Sequence, residues 1–271
     1  MTETNTTLKI YQKRFPHYQN FFELLQKVFL LRQENESLWT KDIFPLNQTE
    51  TEQRISAGKP LINLQLDPFD DKPPKRYFLN LLTIAEPEHP ALANEIRETI
   101  ANHEQAYAEM VRALFTPAEN PKTAEDSFAL IPFFIQESLK PFFSHLALKQ
   151  KEVLTRNLWQ QGLCPVCSRP ADLSLLRDEE GKRSLFCRQC NFEWPYKRLQ
   201  CPFCENEDQS KLDYFTIDDP AQKHYRVNVC HQCRRFIKTI DFRAVDYEIN
   251  LEIETLITIH LDLKAAAEDF H

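Results

Sequence analysis

Apolar positions recur at helical spacing through the first part of the chain and at strand spacing through a later part. In "YQNFFELLQKVFLLRQENES", Phe21, Leu24, Leu25, Val28 and Leu31 form a stripe along one helix face. "LINLQLDPFDDKPPKRYF" follows and reads as an irregular, proline-rich connection. "HPALANEIRETIANHEQAYAEMVRALF" then sets Leu92, Ile96, Ile100, Tyr107, Val111 and Leu114 on one face over several turns. Residues 128–159 read as one or two buried helices, with Pro141 as a start or a kink. From residue 164 the apolar runs shorten. "RSLFC", "KLDYFTI", "KHYRVNVC" and "RRFIKTIDF" alternate like strands between turn-like segments. Residues 248–270 return to helical spacing, with Leu251, Leu256, Ile259 and Leu263 available for packing.

The strand-like part holds every cysteine. The eight fall in four Cys-x-x-Cys pairs: Cys164/Cys167, Cys187/Cys190, Cys201/Cys204 and Cys230/Cys233. Two cysteines three apart in a tight knuckle place both sulfurs on one ion, and two knuckles complete a tetrahedral set. The inserts Ser168–Phe186 and Glu205–Val229 suit the β-hairpin of a zinc ribbon or a rubredoxin-like module, whereas the gap Asn191–Gln200 is short. Consecutive pairing, first with second and third with fourth, is therefore expected; interleaved pairing is the open alternative. Two metal ions follow, each bound by four cysteines, and zinc and iron both accept all-sulfur tetrahedral sites. A single pair would also fit a redox motif; four pairs with no cysteine elsewhere favour metal ligation. His231, inside "CHQC", is expected to point outward, since each site already has four thiolates.

These readings assemble into an α+β protein. An α-helical N-terminal domain covers residues 1–160. Rubredoxin-like or zinc-ribbon modules follow over 161–196 and 197–243, and a C-terminal helix covers 244–271.

Composition narrows the function. Of 271 residues, 42% are hydrophobic and 20 are Phe, enough for a substantial core. Only three are glycine, too few for a Rossmann or P-loop phosphate cradle, and neither pattern occurs. The formal charge of −7 argues against a dedicated nucleic-acid coat. Within 164–243 there are 14 Lys/Arg and 12 Asp/Glu; eight thiolates with two divalent ions bring that region to about −2. The first residues carry no apolar run of signal-peptide length, so a cytoplasmic protein is expected. The most apolar stretch, Leu130 to Leu148, contains Gln136, Glu137, Lys140 and His145 and reads as a core helix, not a membrane span. No Ser/His/Asp set, paired carboxylates or HExxH spacing makes a case for an enzyme.

Between the second and third pairs lie Trp194, Tyr196, Lys197 and Arg198. They could stack on bases, as in nucleic-acid ribbons. Alternatively, Trp194 and Phe192 cover the metal knuckles.

The order of motifs resembles the formate dehydrogenase accessory protein FdhE family. "CPVCSRPADLSLL", "GKRSLFCRQCNFEWPYKRLQCPFC", "VNVCHQCRRFIKTI" and the tail "IETLITIHLDLKAAAEDF" carry the resemblance, with "AGKPLINL" at Ala57 to Leu64 similar to an AGxPLL-type motif. The resemblance implies a helical part followed by two rubredoxin-like modules, with all eight cysteines as ligands and iron as well as zinc as candidate metals. It implies a non-catalytic maturation factor that binds the catalytic subunit of formate dehydrogenase in the cytoplasm. A zinc-ribbon nucleic-acid binder and an iron–thiolate redox protein are the alternatives, and a homodimer remains open. Trp194, Tyr196, Lys197 and Arg198 become candidate partner contacts. Departures from the family pattern include Ser168 where a glycine usually follows the first pair. Glu205 and Arg234 also follow second cysteines, where the turn favours positive φ. Asn228 and Thr255 stand where acidic residues are expected.

Overall fold

A computed structural model of the chain describes residues 3–116, 126–156, 159–219 and 222–271. The chain forms two compact units. The first comprises Met1–Asn47 and Ile62–Leu146, and the second comprises Gln48–Leu61 and Ala147–His271. The division differs from the sequence break at residue 160, because residues 48–61 and 147–160 both group with the cysteine part.

The first unit contains α1 (Glu3–Arg14), α2 (Gln19–Glu34), α4 (Lys72–Ala85), α5 (Pro90–Asn102), α6 (Ala106–Phe115) and α7 (Asp126–Lys149) up to Leu146. Its interior is aromatic: Tyr11, Phe22, Tyr77, Phe78, Tyr107, Phe134 and Phe143 are all fully buried. The buried face of α2 centres on Phe22, Leu25 and Val28, rotated from the expected stripe; Phe21 and Leu24 are only half-buried. The expected continuous face from Leu92 to Leu114 is two helices, because His103 takes an extended backbone and ends α5. The proline-rich connection is partly helical. Pro73 and Pro74 stand in the first turn of α4, where a missing N–H costs nothing. Conversely, α7 runs through both Pro132 and Pro141. Ser138 donates to the Ile135 carbonyl at 2.7 Å, so its oxygen accepts the Tyr107 hydroxyl, also at 2.7 Å.

The second unit contains α3 (Gln48–Ser56), α8 (Lys151–Arg156), six strands, α9 (Leu251–Ile257) and α10 (Ile259–Ala267). The strands are β1 (Leu173–Arg177), β2 (Lys182–Cys187), β3 (Phe192–Pro195), β4 (Leu212–Phe215), β5 (Tyr225–Cys230) and β6 (Phe236–Asp241). They form one sheet in the order β3-β2-β1-β6-β5-β4. Each cysteine module supplies an antiparallel three-stranded half, with β2 against β1 and β3 and with β5 against β4 and β6. The halves join through β1 and β6, which run parallel with Ser174 opposite Thr239 and Leu175 opposite Ile240.

One sheet face is apolar. Leu173, Leu175, Phe186, Tyr225, Val227, Val229 and Ile240 form a core with Leu261, Ala265 and Phe270 from the C-terminal segment. That segment is two helices, not one. Its buried positions include Ile253, Ile257, Leu261 and Ala265, while Ile259 and Leu263 are exposed. Polar contacts anchor it to the sheet. Tyr225 and Tyr247 both donate to the buried Glu254 carboxylate, and Lys238 Nζ reaches Asp262 at 2.8 Å.

Candidate metal centres

Each Cys-x-x-Cys pair folds into the same local shape. The residue after the second cysteine has positive φ in all four: Ser168 at 65°, Asn191 at 48°, Glu205 at 59° and Arg234 at 60°. A left-handed residue there turns the chain back so that backbone hydrogen bonds close around the cysteines. In the first knuckle Ser168 N–H donates to the Cys164 carbonyl at 3.0 Å, and Cys164 N–H donates to the Arg169 carbonyl at 2.7 Å. The third repeats this with Glu205 and Asn206, and the fourth with Arg234 and Arg235. The sequence pointed to three of these positions; Asn191 is the fourth.

Strand ends then bring knuckles together. Cys187 closes β2 and Cys230 closes β5, so each hairpin delivers its second knuckle to the first. The sulfurs of Cys164, Cys167, Cys187 and Cys190 all lie within 4.8 Å of one another, and so do those of Cys201, Cys204, Cys230 and Cys233. The pairing is consecutive, not interleaved. Sulfur–sulfur separations of 3.6 Å (Cys167 to Cys187) and 3.7 Å (Cys201 to Cys233, Cys204 to Cys230) exceed a disulfide bond of about 2.05 Å. They match the edge of about 3.8 Å that a tetrahedron with metal–sulfur bonds of about 2.3 Å requires.

Electrostatics makes the same point. Burial holds the Cys164 and Cys190 thiols well above their ordinary value, and hydrogen bonding among the sulfurs adds to the rise. For Cys167, burial opposes ionisation, but hydrogen bonds from Cys164, Cys187 and Cys190 bring it well below. In the second cluster burial raises Cys201 and pushes Cys233 up to about 11. Cys230 is lowered: burial opposes this, but the backbone N–H groups of Cys233 and Gln232 outweigh it. Cys167 in one cluster and Cys230 in the other are thus favoured as thiolates, while Cys164, Cys190, Cys201 and Cys233 resist ionisation. Four thiolates so close together call for a thiophilic cation, and the donor set fits zinc or iron.

The clusters differ in exposure. All four sulfur-bearing residues of the first are buried, whereas Cys204 and Cys233 of the second are half-exposed. Outer contacts also differ. Val166 N–H points at Cys164 Sγ at 3.4 Å, and Asn206 Nδ2 at Cys230 Sγ at 3.9 Å. The half-buried Asp172 carboxylate accepts the Arg188 N–H at 2.7 Å beside the first cluster; desolvation, then the Cys187 charge, raises its pKa.

The aromatic-basic spacer separates into two pairs. Trp194 and Tyr196 are buried: Trp194 donates its indole N–H to the Gln161 carbonyl at 3.0 Å, and Tyr196 its hydroxyl to the Cys201 carbonyl at 3.2 Å. Lys197 and Arg198 are exposed, Lys197 pairing with Glu207 at 2.8 Å and Arg198 donating to the Glu180 carbonyl at 2.6 Å. His231 is exposed, its ring against Phe270, and it belongs to neither cluster. Asn228 accepts from Thr239 at 2.6 Å, and the Thr255 carbonyl accepts from Lys238 at 3.1 Å. Among the described residues no helix is long and apolar enough to cross a membrane.

Residues 163–198 match the family described as FdhE, central domain. A protein named "Protein FdhE homolog" from Aquifex aeolicus is 25% identical over 266 residues, 97% of this chain and 89% of that protein. One of the same name from Pseudomonas aeruginosa is 28% identical over 149 residues, and there the match spans 52% of this chain and only 47% of the relative. The crystal structure of the FdhE protein from Pseudomonas aeruginosa superposes with a TM-score of 0.63 at 20% identity. It covers 92% of this chain and 86% of the other, and the likeness is one of fold.

Proposed function

With membership of the FdhE family supported by the family model, the curated relatives and the fold, we propose that this chain is a non-catalytic accessory factor in formate dehydrogenase maturation. It binds the catalytic subunit of that enzyme in the cytoplasm during assembly. The observation that carries this reading is the pair of four-cysteine clusters built into one sheet, within a fold shared along nearly the whole chain. Cys164, Cys167, Cys187 and Cys190 hold one thiophilic ion, and Cys201, Cys204, Cys230 and Cys233 hold a second. Zinc or iron there supplies structural cross-linking of hairpins that have little core of their own.

The spacer between the modules serves as a client contact in this reading. Lys197 and Arg198 present charge, while Trp194 and Tyr196 fix the backbone that displays them. The test is an anaerobic pull-down of the tagged, nuclease-treated protein from cells making formate dehydrogenase, read by mass spectrometry. Enrichment of the catalytic subunit is expected. Its absence, with ribosomal or other nucleic-acid machinery recovered instead, favours a zinc-ribbon nucleic-acid binder. A Lys197→Ala/Arg198→Ala variant that keeps both ions should capture less client; full capture removes the spacer from the interface.

A further inference from the structure

Period-two alternation gives the sheet a second face with a different character. On β5, Tyr225, Val227 and Val229 enter the apolar core, so Arg226 and Asn228 face the other way. Arg183 on β2 lies on this polar side, donating to Ser174 Oγ at 2.8 Å. The segment carrying Arg198 and the third knuckle walls it, leaving a cavity of about 350 Å³.

Four guanidinium groups line that cavity, those of Arg183, Arg198, Arg226 and Arg235, against the single carboxylate of Asp213. Among the described residues none of the four makes an ion pair. Arg183 donates to the Gln200 carbonyl at 2.7 Å and Arg198 to the Glu180 carbonyl. Arg235 lies 3.9 Å above the Phe203 ring and Arg226 5.1 Å above Tyr214. Ring stacking fixes a guanidinium plane and leaves its N–H edges available. Arg226 Nε is buried with no hydrogen-bond partner. A neighbouring acid, Asp241, is held by Arg243 at 2.8 Å. Burial depresses the Arg226 pKa; Asp241 and Tyr214 oppose this, and the Arg198 and Arg243 charges add to it.

The second cysteine cluster is a rival source of counter-charge, since Cys201 and Cys230 line the same cavity. The side-chain hydrogen bond to Cys230 Sγ, however, comes from Asn206, not from an arginine. Clustered like charges, three of them half-buried, with one buried and unmade Nε hydrogen bond call for an acceptor. Several guanidinium forks from separate segments of the chain suit an anion with three oxygens and a double charge better than one carboxylate. Leu212 and Ile237 supply an apolar wall for an organic remainder.

We propose that this cavity binds a small phosphate-bearing molecule, its phosphate or diphosphate group held among Arg183, Arg226 and Arg235. The proposal stands independently of the maturation reading, because it needs no client protein. Inorganic pyrophosphate titrated calorimetrically into the metal-loaded full chain at low ionic strength should bind saturably, one per chain. Arg226→Gln should weaken it about tenfold or more with both ions retained, and Arg226→Lys should fall between. Malonate, a dicarboxylate probe, should bind at least about tenfold more weakly than pyrophosphate. No saturable binding, unchanged affinity in Arg226→Gln, or malonate as tight as pyrophosphate would overturn the proposal. Loss of the second ion in that variant without any pyrophosphate binding by the wild type would instead assign the arginines to balancing the thiolates. If Arg226→Gln fails to fold, Arg235→Gln must show the same weakening, and unchanged binding there overturns the site equally.

Discussion

Gly162 lies so close to Pro202 that a β-carbon on Gly162 would sit 1.6 Å from the Pro202 carbonyl oxygen. Gly162 precedes the first knuckle and Pro202 belongs to the third, so this contact ties the two metal modules together beyond the sheet. Backbone cannot give way as a flexible side chain would. Gly162→Ala should therefore cost at least about 2 kcal/mol, at the upper end of overpacking effects. Urea unfolding followed by tryptophan fluorescence, with metal release monitored in parallel, measures this. Wild-type stability in the variant would mean the loops separate freely.

The two clusters should lose metal independently and unequally. Cys204→Ser should lower the content from two ions per chain to one, leaving the buried first cluster loaded. In the wild type a chelator should strip the half-exposed second cluster first. Metal analysis by plasma mass spectrometry during chelation reads both. Simultaneous loss of the two ions would show that the sites collapse as one.

Backbone strain at the first knuckle offers a gain. Ser168 has φ of 65°, a region costing a non-glycine residue roughly 1–2 kcal/mol. Ser168→Gly should recover about 0.5–1 kcal/mol after the extra freedom of the unfolded chain is subtracted. Arg234→Gly should gain less, because Arg234 donates to the Glu268 carbonyl and lies 4.3 Å above the Phe270 ring. Thermal melts of the metal-loaded variants rank the two; a larger gain at Arg234 contradicts the argument.

Alkaline pH should weaken the first unit through Tyr107. Burial raises its phenol well above the ordinary value, with the Ser138 hydrogen bond opposing. The folded pKa exceeds the unfolded value of about 10, so this stability is complete below that pH and is lost as pH rises beyond it. The loss approaches about 1.4 kcal/mol per pH unit. Tyr107→Phe should cost about 1 kcal/mol at pH 8, and the deficit should shrink between pH 10 and 11. Urea unfolding at those pH values checks it; a constant deficit excludes phenol ionisation as the cause.

Much of this architecture was legible in local sequence. Knuckle spacing with hairpin-sized inserts announced consecutive clusters, and the switch in apolar period announced an α+β chain. The joining of both modules into one sheet was hidden, because parallel pairing of β1 and β6 leaves no turn between them to read. Strands β1 and β3 were also missed. β1 is the five-residue run Leu-Ser-Leu-Leu-Arg, whose alternation Leu176 breaks, and β3 is four residues long. Trp194 and Tyr196 looked like display residues beside Lys197 and Arg198, yet their rings turn inward and only the charged pair faces solvent. The arginine-lined cavity was invisible because Arg183, Arg226 and Arg235 are scattered along the chain. A local hint was Arg226, which alternates with Tyr225 and Val227 along β5 and shares its polar face with Asn228.

The parallel seam also sets an order of events on the ribosome. Synthesis proceeds from the N-terminus, and the first cluster has all its ligands once Cys190 has emerged. Strand β1 pairs with β2 then, but its other edge waits until Thr239 and Ile240 are made. Through that interval the nascent chain carries the first module with an open strand edge, the kind of surface that recruits stray β-strands. Arrival of β6 closes that edge, so the last strand of the sheet protects the first.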